Sequence, residues 1–351
     1  MYIRSFFFSG RCAVFLSSLM FALPYAHAQD LACKSDPFSS VSPSSRLTKK
    51  PMPTLNKNNK SWATLTRSTK AMRSPPKSFI TLQPRIQRAS QTTLLDTIGN
   101  VQVTDSSGSA KSSTNTAGKT NLVNGDWIRT AANSYVRLLT LDGTFVNVAS
   151  NSNLKLTQID KLPIMLELTD GRIESLVNKQ EQTPKKKRSS NYQIKTPAVT
   201  LSVRGTRFKV EHHAEAIKTN ASVEDGLVAV QRSGACEAPV LLSQGMGVVA
   251  TRQSLNVYDM LPAPEILSAP PVIKGDALSV DLKPVNGAKR YRMQAGYDES
   301  SILITDEVES ESPKLSLKNV PNGYYFVRFN AIDDHGIEGI SDKTNILYQP
   351  D

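Results

Sequence analysis

The sequence predicts an all-β chain: a β-roll or short solenoid followed by a β-sandwich, behind a disordered basic N-terminal segment. Three observations lead there. From Leu94 onward apolar residues alternate at the two-residue period of strands, and no comparable helical period appears. Asp-Gly pairs recur between alternating runs, at Asp142-Gly143, Asp170-Gly171 and Asp225-Gly226. A proline-rich stretch at 262–271 then marks a boundary, beyond which short alternating runs return at sandwich spacing.

Residues 1–28 read as a secretory signal. Arg4 and Arg11 form its basic region, residues 13–23 are almost wholly apolar, and Ala26-His27-Ala28 supplies the small-x-small pattern for cleavage after Ala28. The apolar run is shorter than the roughly 20 residues a membrane span needs, and no later segment approaches that length. The mature chain is therefore expected to be periplasmic or secreted, with no integral membrane span. Asp30 stands where a lipobox ahead of Cys33 would place an aliphatic residue.

The net charge of +11 is unevenly placed. Residues 29–95 carry 12 Lys and Arg against Asp30 and Asp36, and everything after them sums to −1. Segment 29–94 also holds seven prolines among many Ser and Thr, with few large apolar residues. Such a stretch cannot bury enough surface to offset its ordering entropy. Two roles stay open for it: a solvated spacer kept extended by its charge, or a polycation held to an anionic envelope polymer. Export and the absence of a readout motif argue against nucleic acid. Lys185-Lys186-Lys187-Arg188, between Pro184 and Ser189-Ser190, reads as a second basic run at a loop tip. Of the cysteines left after cleavage, Cys33 and Cys236 are a candidate disulfide pair in an oxidising compartment.

The β domain is expected over 95–257. Gly125-Asp126-Trp127-Ile128-Arg129-Thr130 is a turn feeding a strand. The run 135–141, the Asp142-Gly143 turn and Phe145-Val146-Asn147-Val148 make a hairpin. The same unit returns around Asp170-Gly171 and Asp225-Gly226, with Gln244-Gly245 as a degenerate last turn. Either a repeat stacking layer on layer or convergence on one common hairpin turn accounts for this. After Thr196-Pro197 an extended segment begins. Leu201, Val203, Phe208 and Val210 point inward, and Arg204-Gly205-Thr206 interrupts the alternation as a bulge or tight turn would.

These pieces, Val203-Arg204-Gly205-Thr206-Arg207-Phe208 above all, resemble the FecR-type periplasmic domain. The resemblance implies an architecture that binds and relays rather than catalyses. Members with a cytoplasmic anti-sigma segment and a membrane span relay transporter occupancy to a sigma factor. This chain looks more like exported FecR proteins that carry fibronectin-like modules. Over 262–351, the runs 277–282, 288–295, 315–317 and 323–333 resemble a bacterial fibronectin type III module, on Gly323-Tyr324-Tyr325-x-Val327-Arg328 and Gly336-Ile337-Glu338-Gly339. Leu282 falls where many such modules place a Trp.

Catalytic constellations are thin. After signal removal His212, His213 and His335 remain, and there is no His-Glu-x-x-His, Cys-x-x-Cys, nucleophile elbow or phosphate loop. His212 and His213, adjacent on a strand, face opposite sides and cannot jointly chelate. No cofactor, metal or catalytic residue is expected. The expected function is a non-enzymatic envelope binding or scaffold protein, with a sensory or regulatory component of FecR-like signalling as the alternative. A glycan hydrolase built on dispersed carboxylates is the third reading. The expected partner is an envelope protein or an anionic cell-wall polymer. Arg204 could present its guanidinium to an anion or brace neighbouring strands.

Overall fold

The computed structural model describes residues 91–350, apart from 114–119, 179–189, 269, 271 and 300–303. The secretory signal, the basic segment, Cys33 and the Lys185–Arg188 run lie outside the described residues. No helix occurs among the described residues, and none is long and apolar enough to cross a membrane.

The first fourteen strands form one sheet that folds over on itself. They are β1 (Thr93–Ile98), β2 (Val101–Thr104), β3 (Ala110–Ser113), β4 (Trp127–Thr130), β5 (Tyr135–Leu139), β6 (Phe145–Val148) and β7 (Asn153–Gln158). Then come β8 (Ile164–Leu176), β9 (Tyr192–Lys195), β10 (Val199–His213), β11 (Lys218–Arg232), β12 (Val240–Ser243), β13 (Met246–Ala250) and β14 (Leu255–Asp259). The main path runs β14-β13-β11-β10-β9-β8-β7-β4-β2-β3, and a branch β1-β5-β6 joins at β8. Alternation drives the fold: Leu154, Leu156, Ile164, Leu166, Leu168, Leu201, Val203, Phe208 and Val210 all bury in one core.

Asp142-Gly143 forms the predicted hairpin turn between β5 and β6. Asp170-Gly171 and Asp225-Gly226, read as the same turn, instead lie inside the long strands β8 and β11. Each marks a corner where a strand passes from one set of neighbours to another. Before Gly171, β8 pairs with β7 and β9; after it, with β6 and β10. Before Gly226, β11 pairs with β13; after it, with β12. A left-handed glycine bends a strand as well as it closes a hairpin. Gln244-Gly245 joins β12 to β13. The expected interruption in β10 is a bulge, with register shifts at Arg204 and Arg207.

Eight further strands make the sandwich. β15 (Ile266–Ser268), β17 (Ala277–Leu282) and β20 (Lys314–Lys318) form one sheet. β16 (Val272–Lys274), β18 (Arg290–Gly296), β19 (Ile304–Ser310), β21 (Gly323–Ile332) and β22 (Asp342–Gln349) form the other, in the order β16-β22-β21-β18-β19. Leu278, Val280, Leu282, Met293, Val327 and Phe329 are among the residues that fill the space between the sheets. Near the start of β21 the buried Tyr325 donates its hydroxyl hydrogen bond back to the Pro321 carbonyl at 2.9 Å. That is the tyrosine corner typical of immunoglobulin-like sandwiches. Gly336-Ile337-Glu338-Gly339 is a loop after β21, tied back by Gly339 N–H to the Ala331 carbonyl at 2.7 Å.

Candidate functional site

The signature residues work mainly on the backbone. The buried Asp126 carboxylate accepts the Val123 N–H and pairs with Lys111, both at 2.8 Å, beside Gly125 with its positive φ. Asp142 accepts from the Thr140 hydroxyl at 2.5 Å and from the Thr144 hydroxyl at 2.9 Å. Thr196 Oγ1 accepts the Val199 N–H at 3.0 Å, closing the β9–β10 connection at Thr196-Pro197. Thr206 Oγ1 accepts the Leu227 N–H at 3.2 Å and donates to the Leu227 carbonyl at 3.0 Å, bridging the bulge where the strand ladder cannot. Asp170 caps the Ala214 N–H at 3.1 Å. Val203 and Phe208 are core. Arg204 is half-buried on the bulge and is not part of the ionic cluster described below.

His212 is buried with Nδ1 2.9 Å from the Thr219 hydroxyl, and His213 is exposed on the opposite side. Among the described residues no group of His, Cys, Asp and Glu is placed to hold a metal ion. Cys236 is disulfide-bonded.

The signature residues do not converge on a common centre; a different set does. Where the outer face of β8, β10 and β11 meets β18, β19, β21 and the 336–339 loop, five basic and five acidic side chains interlock. Glu174 takes Arg328 in a two-pronged pair at 2.6 and 2.5 Å, and Arg207 at 2.8 Å. Lys209 reaches Glu338 at 2.5 Å, Asn330 at 3.2 Å and Glu224 at 3.2 Å. Arg172 spans Glu307 and Glu338, and Arg292 spans Glu309 and Glu338. Gln294 donates to Glu307 at 2.9 Å and accepts from Arg328, linking the pairs. Arg328 is only 2% exposed.

The local reason is strand alternation. Arg172-Ile173-Glu174, Arg207-Phe208-Lys209, Arg292-Met293-Gln294, Glu307-Val308-Glu309 and Arg328-Phe329-Asn330 each place two polar residues on one face around an apolar residue on the other. Apolar faces fill the two cores, and the polar faces meet each other. Burial alone would raise the Glu174 and Glu307 carboxyls. The guanidiniums of Arg328 and Arg207 outweigh it for Glu174, and those of Arg172 and Arg292 hold Glu307 at about 2. Burial pushes Lys209 down to about 7 against the pull of Glu224. Alongside, Lys218 and Asn220 donate to the His335 carbonyl at 2.8 and 3.1 Å, and Ile337 packs on Gly247. A cleft of about 10 Å³ remains between Arg172, Lys209, Glu211, Asn220, Ser222 and Glu338. It holds about one water molecule and no organic substrate. Chemically, the arrangement fastens two modules through paired charges.

Residues 126–229 match the family described as FecR protein, and these residues are a FecR domain. The match lies inside the expected 95–257 region and spans the signature from Asp126 to Phe208, leaving Gly125 just outside. No curated protein matches the chain. Among solved structures, a candidate anti-sigma factor from Parabacteroides distasonis ATCC 8503 is similar at 16% identity and TM-score 0.32, over 38% of this chain and 59% of that one. This chain thus spans about three-fifths of that protein's length. The fibronectin(III)-like modules of Clostridium thermocellum CbhA are similar at 10% identity and TM-score 0.21, over 56% of this chain and 94% of that one. The FN1–FN3 domains of chicken CNTN1 align at 10% identity and TM-score 0.21, over 74% and 95%. TM-scores this low are no guide to function.

Proposed function

We propose that this chain is a non-enzymatic sensory or regulatory component of the cell envelope, acting by contact in FecR-like signalling. The observation that carries the reading is the FecR domain at 126–229; such domains are typically periplasmic and non-enzymatic. The ionic interlock supports it physically. A ligand or protein that engages one module acts on a surface already fastened to the other, which suits a relay or scaffold. Export through the signal at 1–28 places the chain in the periplasm or outside, where its partner is an envelope protein or an anionic polymer.

The carboxylates that crowd together speak against hydrolysis. Glu174, Glu307 and Glu309 are held below the usual carboxylate range by guanidiniums, whereas a general acid needs its carboxyl raised. In vivo crosslinking in the envelope should recover a transporter or regulator, and deletion of the gene should change sigma-dependent transcription. Failure of both overturns the regulatory reading. Turnover of peptidoglycan by the purified chain, abolished by changing one Asp or Glu, would overturn the non-enzymatic one.

A further inference from the structure

On the far side of the FecR domain from its core, β2, β4, β7, β8 and β9 present a continuous outer sheet face. Alternation puts Ile128, Leu154, Leu156, Leu166 and Ile194 inside and leaves their neighbours outside. Register then sets those neighbours in rows. Trp127 stands opposite Lys155, Lys155 opposite Glu167, and Glu167 opposite Lys195. In the next row Gln102 stands opposite Arg129, and Arg129 opposite Asn153.

Two cations converge on one aromatic ring. The Lys155 ammonium lies 5.4 Å from the Trp127 ring centroid, and the Arg129 guanidinium lies 5.8 Å from it. Most basic residues around the ionic interlock, and Lys111 and Arg137 elsewhere in the domain, sit on a carboxylate. Arg129 and Lys155 are different: among the described residues neither has a carboxylate within salt-bridge reach, and Arg129 is exposed with one long hydrogen bond to Asn153. Glu167 is the one acid of its row against Lys155 and Lys195. The ring quadrupole holds the two cations in place without neutralising them. The face therefore offers an apolar ring flanked by two charges that still seek an anion, on a flat strand surface.

We propose that this face binds a carboxylated polysaccharide chain, with a sugar ring against Trp127 and its carboxylates on Arg129 and Lys155. An apolar sugar face matches the indole. A carboxylate matches the guanidinium fork. The row from Trp127 to Lys195 crosses four strands, roughly 14 Å at the spacing of a sheet, so an extended polymer fits better than a single small anion. The proposal takes from the functional reading only its envelope setting and needs no protein partner, so a failure in crosslinking leaves it standing.

The test uses the full mature chain carrying Trp62→Phe, which leaves Trp127 as the one tryptophan of the two. Polygalacturonate is the probe and neutral dextran the control, at physiological salt and again at higher salt to suppress binding by the basic segment. Polygalacturonate should change Trp127 fluorescence saturably and dextran should not. Arg129→Ala with Lys155→Ala should weaken the response by about tenfold, equivalent to about 1.4 kcal/mol, with the thermal midpoint unmoved. Trp127→Ala, followed by sedimentation with the polymer, should lose a similar factor, and Trp127→Phe should keep most of the binding. An unresponsive Trp127, an equal response to dextran, or undiminished binding by the Arg129/Lys155 variant overturns the proposal.

Discussion

Gly226 shows how one residue fixes a corner. It has a φ of +93°, and a Cβ placed on it would lie 2.5 Å from the Gly205 carbonyl oxygen and 2.8 Å from Thr206 Oγ1. Gly205 itself has a φ of +60° on the facing strand, so two bends meet back to back and Thr206 closes the gap between them. Gly226→Ala suffers both the left-handed backbone and the collision with main chain that cannot retreat. It should lower stability by about 1–3 kcal/mol, read as a shift in urea midpoint. Gly234→Ala separates the two effects: φ there is +75° with nothing within 4 Å of the added carbon. It should cost only about 1 kcal/mol. Equal losses at both sites would show that close approach at Gly226 contributes nothing.

At the scale of the strand, the same alternation that made the fold legible concealed its interface. A strand reading Arg-Phe-Lys or Glu-Val-Glu, as at Arg207-Phe208-Lys209 and Glu307-Val308-Glu309, looks like one face in a core and one in water. Nothing local distinguishes a polar face that meets water from one that meets another polar face. That depends on which strands face each other across more than a hundred residues. The hairpin at Asp142-Gly143, the bulge at Gly205, the strand at 277–282 and the opposite facing of His212 and His213 were all readable, because each depends on near neighbours. Asp170-Gly171 and Asp225-Gly226 misled because a left-handed glycine serves a turn and a strand corner alike. The short strands β15 and β16, and β19 and β22 with their many polar residues, gave too weak a pattern to see. The interlock makes its own prediction. Arg328→Met leaves Glu174 buried with Arg207 as its remaining guanidinium partner, and should cost about 3–5 kcal/mol. Adding Glu174→Gln should recover part of that loss, since the stranded charge is gone, giving a clear coupling in a double-mutant cycle. Arg290→Met, at an exposed pair with Glu309, should stay within about 1 kcal/mol. A loss at Arg328 no larger than that at Arg290 would mean the interface is solvated.

For the whole molecule the interlock makes the union of FecR domain and sandwich depend on pH. Five basic and five acidic groups are matched in number across the interface. Acid breaks the balance from one side. Glu307 falls from its ordinary 4.5 to about 2 because Arg172 and Arg292 overcome its burial, and Glu174 moves the same way under Arg328 and Arg207. Between pH 4.5 and 2 the separated state therefore binds more protons than the joined state, so the joined state loses stability as pH falls through that window. Lys209 acts at the other end. Burial lowers it from 10.5 to about 7, so the separated state again binds more protons between those values, and the joined state gains stability as pH rises through them. Hydrogen exchange measured across a pH series, with rates corrected for intrinsic exchange, should show β8, β10, β18 and β21 losing protection together below pH 4.5. Strands remote from the interface, such as β2 and β4, should hold theirs to lower pH. Glu307→Gln keeps a hydrogen-bond acceptor for Arg172 but removes one titration, so its acid transition should be shallower than that of the native chain. An unchanged slope in Glu307→Gln, or protection lost first in β2 and β4, would show that acid acts elsewhere than at this interface.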